Sequence, residues 1–382
     1  MKPRWTSGGV FCFKTLINPP VFMQKQKVAV VGASGYSGEE LVRLLLSHPL
    51  VELTEVTSRQ YAGKSVGEIF PKFAHHPGAK ALRFTEPKVE QLAAGHPIVF
   101  LALPHGVAAE FAGPLLKSGC KVIDLSADFR VKNPAVYAEF YGHEHPKPEL
   151  LGQAVYGLPE IYRAQIQTAS LIASPGCYPT SILLPLIPLL KAGLVSSSGI
   201  IADSLSGVSG AGRKVELDYL FVECNESVRP YGVPKHRHLS EIEQELALAA
   251  GEPVMLQFTP HLIPVNRGIL TTLYLEPRGP TPGVAGAKPD GDKLREWGEK
   301  IANCYRSEYA QEPFVRLLEG KALPDTKNVV GTNGIEIGWR LDSRTGRLIV
   351  MSAEDNLLKG ASGQAVQSLN LMCGFPETTA LL

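Results

Sequence analysis

The chain has 382 residues, 44% hydrophobic and 20% charged, with 38 Lys and Arg against 37 Asp and Glu and a formal net charge of +1. That length points to two domains with a sizeable core, and the composition excludes disorder, collagen and a small disulfide-stapled scaffold. Near-neutral charge gives no grounds for a nucleic-acid or anionic-membrane partner, and the longest apolar runs, IVFLALP from Ile98 and ILLPLIPLL from Ile182, fall short of the roughly 18 residues of a membrane span.

Residues 1–26 carry Lys and Arg but no acid, which fits a transit peptide. The plainer expectation is a disordered leader, because Met23 opens MQKQKVAVVG directly before the first strand. From Lys27 a βαβ unit follows: VAVVG, then EELVRLLLS with Leu41, Leu44 and Leu45 on one helical face, then VELTEVTS. PIVFLAL (97–103), KVIDLSA (121–127) and SLIAS (170–174) read as further buried strands, so the first domain is predicted to be a doubly wound parallel sheet. A helix from Thr180, bent by Pro185 and Pro188, leads into GIIADSLSGVSG, VMLQFTPHLIPV, GILTTLYLEP, GIEIGWRLD and RLIVMSAED, whose alternation predicts a mixed or antiparallel second sheet. Leu294, Trp297, Ile301 and Tyr305, and later Ala365, Val366, Leu369 and Met372, recur at helical spacing and are core faces. Residues 279–291, rich in Pro and Gly, read as a surface insertion. The domains are expected at 27–177, completed by a C-terminal helical segment 353–382, and at 178–352.

Gly32, Gly35 and Gly38 form G-x-x-G-x-x-G between a strand and an amphipathic helix, where a pyrophosphate can approach backbone amides. Ser34, Tyr36 and Ser37 stand between them as cofactor contacts. The second strand ends in Thr57-Ser58-Arg59, where an NAD enzyme usually places an acid; a hydroxyl and a guanidinium suit the 2′-phosphate of NADP(H) instead.

In SPGCYPT, Cys177 follows a strand and a Pro-Gly turn and starts a helix, whose dipole is expected to lower its pKa. The other five cysteines lack this setting, and no C-x-x-C pair suggests zinc or a disulfide framework, which favours a reducing, cytoplasmic compartment. His236-Arg237-His238 precedes Ser240-Glu241-Ile242-Glu243, read as a capping box, so a histidine there is expected to stay neutral and able to exchange a proton. No third ligand accompanies the H-x-H spacing, so no metal is expected. Arg130 in SADFR and Arg213 in SGVSGAGR are candidates to hold a substrate carboxylate or phosphate.

The ordered set GASGYSG, TSR, LALPHG, IDLSADFR, YGLPE, PGCYPT, SGVSGAGR, HRHLSEIEQE, PHLIPVNRGI and DNLLKGASGQAVQSLNLM resembles the N-acetyl-gamma-glutamyl-phosphate reductase family from about Lys27 to the C-terminus. The resemblance implies a Rossmann-type domain plus an α+β domain similar to the C-terminal domain of glyceraldehyde-3-phosphate dehydrogenase. It implies the third step of arginine biosynthesis from N-acetylglutamate: NADPH-dependent reduction of an acyl phosphate through a Cys177 thioester, with release of phosphate. His236 is then the favoured acid/base, with His238 open as that residue or as a substrate contact. Ser209, Gly210 and Asn356 are implied near the nicotinamide, and a homo-oligomer is expected by analogy of fold. Rival readings are the one-carbon-longer aminoadipyl phosphate as substrate and a non-catalytic NADP-binding protein. Ser174, where the family usually has Asn, and GTNGIEIG depart from its pattern.

Overall fold

The computed structural model describes residues 24–213, 215–278 and 291–382, the side chains of residues 293 and 294 excepted. The expectations for the leader before Gln24, for the insertion 279–290 and for Leu294 lie outside the described residues.

The chain opens with β1 (Gln26–Val31), α1 (Tyr36–Leu46), β2 (Val51–Thr57), β3 (Phe84–Thr85) and β4 (Ile98–Leu101). After α2 (Ala108–Lys117) come β5 (Lys121–Asp124), β6 (Val155–Tyr156), α3 (Pro159–Thr168) and β7 (Leu171–Ala173). These strands form one sheet in the order β3-β2-β1-β4-β5-β7-β6, and every pairing is parallel. Val28, Ala29, Val30 and Val31 are all fully buried, as a strand covered on both faces requires. The two-residue strands β3 and β6 escaped the sequence reading, being too short to carry a period.

A second sheet follows α4 (Cys177–Lys191). It is built from β8 (Ile200–Gly207), β9 (Arg229–Pro230), β10 (Leu256–Ile263), β11 (Ile269–Leu275), β12 (Val315–Leu318), β13 (Ile335–Leu341) and β14 (Leu348–Glu354), in the order β12-β13-β14-β11-β8-β10-β9. It is mixed: β8 with β10 and β12 with β13 are parallel, the others antiparallel. Helices α5 (His238–Ala250) and α6 (Gly291–Tyr309) both pack on α4.

Helix α4 contains Pro185 and Pro188, each of which removes a backbone donor and strands the carbonyl four residues earlier. Neighbouring hydroxyls take those carbonyls: Ser352 Oγ donates to Ser181 O at 2.6 Å, and the Tyr309 hydroxyl donates to Leu184 O. The Tyr305 hydroxyl adds a further bond to the same helix, donating to Pro185 O at 2.7 Å. The helix therefore runs unbroken from the turn that carries Cys177 into the core, with both stranded carbonyls satisfied.

A π-helical turn, Leu358–Ser362, leads into α7 (Gly363–Cys373), which returns to the first sheet. Leu358, Ala365, Val366 and Leu369 join Val28, Val30, Leu41 and Leu45 in one core. Since β14 runs to Glu354, the crossing back lies just beyond that strand. The turn is pinned by Lys359 Nζ on Glu160 Oε1 at 2.6 Å, both side chains fully buried, and by Ser362 Oγ donating to Ser37 O at 2.8 Å.

Candidate active site

A cleft of about 690 Å³ opens at the carboxyl ends of the first sheet's strands and reaches the start of α4, the place where open parallel sheets bind ligands. At one end stands the glycine loop. Gly32 has φ +82°, and a Cβ there would meet Ala102 O at 2.4 Å. Gly38 presses α1 onto Gly32 and Ala33, whereas a Cβ on Gly35 would meet nothing within 4 Å, leaving the cradle open above the helix start. Ser34 Oγ lies 3.0 Å from Ser58 Oγ, so the loop and the end of β2 share one polar corner, with Arg59 exposed on its rim. Across the cleft, Asn356 donates to Ser209 Oγ at 2.9 Å and accepts from Gly268 N at 2.9 Å. These groups fit a dinucleotide: an open amide cradle, hydroxyls beside it, and a polar wall across the cleft.

At the other end, Cys177 is the first residue of α4, with Gly176 extended as its N-cap. Pro179 has no N–H, and Thr180 N bonds Gly176 O, so the amides of Cys177 and Tyr178 are the donors that the first turn leaves for an oxyanion. Gly360 closes on the nucleophile from behind: a Cβ there would lie 2.7 Å from Cys177 Cβ and 2.9 Å from Glu354 Oε1. A Cβ on Gly176 would lie 2.7 Å from His238 Nε2, which puts that imidazole against the residue preceding the nucleophile. Burial first, then Glu354, pushes the Cys177 thiol up to about 12, against the opposing pull of the Tyr178 amide and Arg130. Burial also holds His238 well below the usual imidazole range, with His236 and Arg130 adding to it.

Two family descriptions tile the chain: "semialdehyde dehydrogenase, NAD binding domain" over residues 27–169 and "semialdehyde dehydrogenase, dimerisation domain" over 177–356. An N-acetyl-gamma-glutamyl-phosphate reductase of Akkermansia muciniphila is 56% identical over 360 residues, covering 94% of this chain and 99% of the relative. One from Moorella thermoacetica is 48% identical over 355 residues, covering 93% and 97%. The chain belongs to the N-acetyl-gamma-glutamyl-phosphate reductase family. In fold, this reductase-family chain is similar to aspartate semialdehyde dehydrogenase II of Vibrio cholerae complexed with ASA (TM-score 0.67, 20% identity, 92% and 99% coverage). It is likewise similar to aspartate semialdehyde dehydrogenase with NADP from Candida albicans (TM-score 0.66, 16% identity, 91% and 98% coverage).

The lining of the reductase cleft includes Gly32, Ser34, Gly35, Tyr36, Ser37, Gly38, Ser58, Arg59, Ser209, Gly210, Asn356, Cys177 and His238. His236 is not part of that lining. It sits among Tyr178, Tyr231 and Phe258, with ring centroids 5.4–5.7 Å away, and its Nδ1 accepts the His238 amide at 3.2 Å. The histidine in the cleft is therefore His238. The capping box is absent too: α5 starts at His238, Ser240 Oγ donates back to Arg237 O, and Glu241 turns inward.

Both candidate arginines line the cleft, and each already has protein partners there. Arg130 is buried, and each of its three nitrogens donates a hydrogen bond: to Ser174 O at 2.7 Å, Leu125 O at 2.9 Å and Glu241 at 3.1 Å. Glu241 also accepts from Tyr156 at 2.9 Å and from Gly176 N at 3.3 Å, so Arg130 and Glu241 together clamp the turn that carries Cys177. The Ser174 departure is harmless to this clamp, which uses the main-chain carbonyl rather than the side chain. Arg213 lies at the cofactor end, donating to Ser34 O at 2.9 Å and Glu39 at 3.1 Å, with its guanidinium 5.0 Å from the Tyr36 ring centre. The expected depression of the thiol pKa is overturned as well: withdrawal from water and the nearby carboxyls outweigh the helix dipole. Sequence reasoning missed Glu241 and Glu354. The three-residue step from His238 to Glu241 on one helical face was the available signal for the first. For the second it was an acid ending a strand otherwise built for burial.

Proposed function

We propose that this chain reduces N-acetyl-L-glutamyl 5-phosphate to N-acetyl-L-glutamate 5-semialdehyde and phosphate, with NADPH as reductant and Cys177 as nucleophile. The observation that carries the reading is the juxtaposition, in one cleft with the glycine loop, of a thiol at a helix start and a neutral imidazole packed against the preceding residue. A thiol held protonated by its surroundings needs a base at the moment of attack, and His238, whose imidazole is neutral and lies against Gly176, is the group placed to take that proton.

Sγ of Cys177 bonds to the acyl carbon, its proton passes to His238, and the C–O bond to phosphate breaks, the proton leaving with the phosphate. The Cys177 and Tyr178 amides hold the oxyanion that forms on the way. Held along the glycine loop, Ser209 and Asn356, a reduced nicotinamide would supply the hydride that the thioester carbon takes up. The carbon–sulfur bond then breaks to give the aldehyde, and His238, reprotonated from solvent, returns a proton to sulfur. Ser34, Ser58 and Arg59 support the choice of NADPH over NADH, since hydroxyls and a guanidinium occupy the corner where a 2′-phosphate lies.

The second sheet supports a homo-oligomer. One face is packed under α4 and α6, while Ile201, Leu205, Leu270, Tyr274 and Met351 alternate onto the other face and remain partly exposed. Among the described residues no helix is long and apolar enough to cross a membrane, and a cytoplasmic location fits the free thiols. The test is reduction of NADP by the semialdehyde, with and without phosphate, in the unmodified protein and in Cys177→Ser. Phosphate-dependent turnover abolished by the substitution supports the reading; turnover retained by Cys177→Ser refutes it.

A further inference from the structure

The substrate of the proposed reaction carries two oxyanions, an acyl phosphate and an α-carboxylate, yet Arg130 and Arg213 are engaged elsewhere and Arg59 stands at the adenosine end. One cleft arginine remains. Arg237 is the N-cap of α5 beside His238, is exposed on the cleft wall, and has no carboxylate within 4 Å among the described residues. Its Nη1 lies 3.3 Å from Nδ1 of His105, which also lines the cleft, in the LPHG loop after β4. Tyr141, at the end of the short helix Pro134–Tyr141, has its ring centre 5.6 Å from that of His105 and is stacked on Tyr137 at 4.6 Å. Its hydroxyl is buried and has no hydrogen-bond partner among the described residues. A native fold seldom leaves a buried hydroxyl unsatisfied, and a ligand is one of the things that can satisfy it.

We propose that Arg237, His105 and the Tyr141 hydroxyl form the seat for an oxyanion of the substrate, phosphate or carboxylate. A guanidinium at the mouth of a helix, with a phenol behind it, supplies donors to an anion. The three groups come from three separate segments, 105, 141 and 237, so the seat exists only in the folded chain. Arg237 is thus a substrate-binding residue, distinct from the clamp formed by Arg130.

This seat rests on the proposed function, and its test separates the two. Kinetics of phosphate-dependent oxidation of the semialdehyde are measured for the unmodified protein, Arg237→Gln and the gentler Tyr141→Phe, varying phosphate and semialdehyde separately. Loss of a charge-assisted contact predicts a KM rise on the order of 10- to 100-fold for one ligand in Arg237→Gln, and a smaller rise for the same ligand in Tyr141→Phe. A rise for phosphate alone identifies the phosphate as occupant; a rise for the semialdehyde alone identifies the carboxylate. If both KM values stay put in both variants, the seat is overturned while the reaction stands. If the unmodified protein shows no phosphate-dependent turnover, the functional reading falls, and the seat with it.

Discussion

Gly360 offers a sharp test of how the nucleophile is placed. Replacing it with Ala puts a methyl carbon 2.7 Å from Cys177 Cβ and 2.9 Å from Glu354 Oε1, against an ordinary contact that begins near 3.4 Å. The methyl is wedged between the half-buried Cys177 and the buried Glu354, so Cys177 must retreat by about 0.7 Å or the π-helical turn must open. The turn resists opening because Lys359 is locked on Glu160 and Gln367 at 2.6 and 2.9 Å. Overpacking of this kind costs about 1–3 kcal/mol of stability, and a misplacement approaching 1 Å at the reacting atom costs on the order of 100-fold in rate. Gly360→Ala is therefore expected to remain folded with a modestly lower Tm, to lose about two decades of kcat, and to keep its KM for NADPH. Stopped assays of NADPH oxidation, run beside thermal melts and alkylation of Cys177 by iodoacetamide, read all three. A folded variant with unchanged kcat and unchanged alkylation rate would refute the idea that this turn positions the sulfur.

The two histidines should separate cleanly: His238→Asn is expected to lose roughly 100- to 10,000-fold in kcat, while His236→Asn, which keeps an acceptor for the His238 amide, should stay within about tenfold; equal losses in steady-state rates would contradict the assignment. Arg59→Ala should raise the KM for NADPH on the order of tenfold or more and leave that for NADH nearly unchanged, so a parallel change in both would move the 2′-phosphate elsewhere. Burial holds His236 down at about 4, so the native state keeps it neutral while the unfolded chain binds a proton below its ordinary 6.5. Its contribution, about 3 kcal/mol at most, is present above pH 6.5 and lost as pH falls toward 4. Urea melts across that window should show the slope in the unmodified protein and a flatter one in His236→Asn; a stability that rises on acidification would contradict the sign.

Much of the fold could be read from the chain because its strands are continuous apolar runs closed by Gly or Pro, and because the glycine loop sits between a strand and a helix as its chemistry demands. Cys177 was legible for the same reason, since SPGC carries its own turn. What failed was whatever depends on residues distant in sequence. The thiol's acidity is set by burial and by Glu354, which lies 177 positions downstream and is brought beside it by Gly360. Arg130 looked like an anion-binding side chain until Glu241, on a helix 111 positions away, claimed it. The choice between His236 and His238 turned on which of two neighbouring rings faced Gly176, and no one-dimensional pattern fixes that when the helix begins between them.

The central claim is that an acyl group passes onto the sulfur of Cys177. Incubating the protein with N-acetyl-L-glutamyl 5-phosphate in the absence of NADPH, quenching in acid and mapping the peptides by mass spectrometry tests it most directly. The account predicts one N-acetylglutamyl adduct on the peptide containing Cys177, removed by adding NADPH and absent from Cys177→Ser. An adduct on another residue, or full turnover with no adduct on Cys177 at any time, would contradict it.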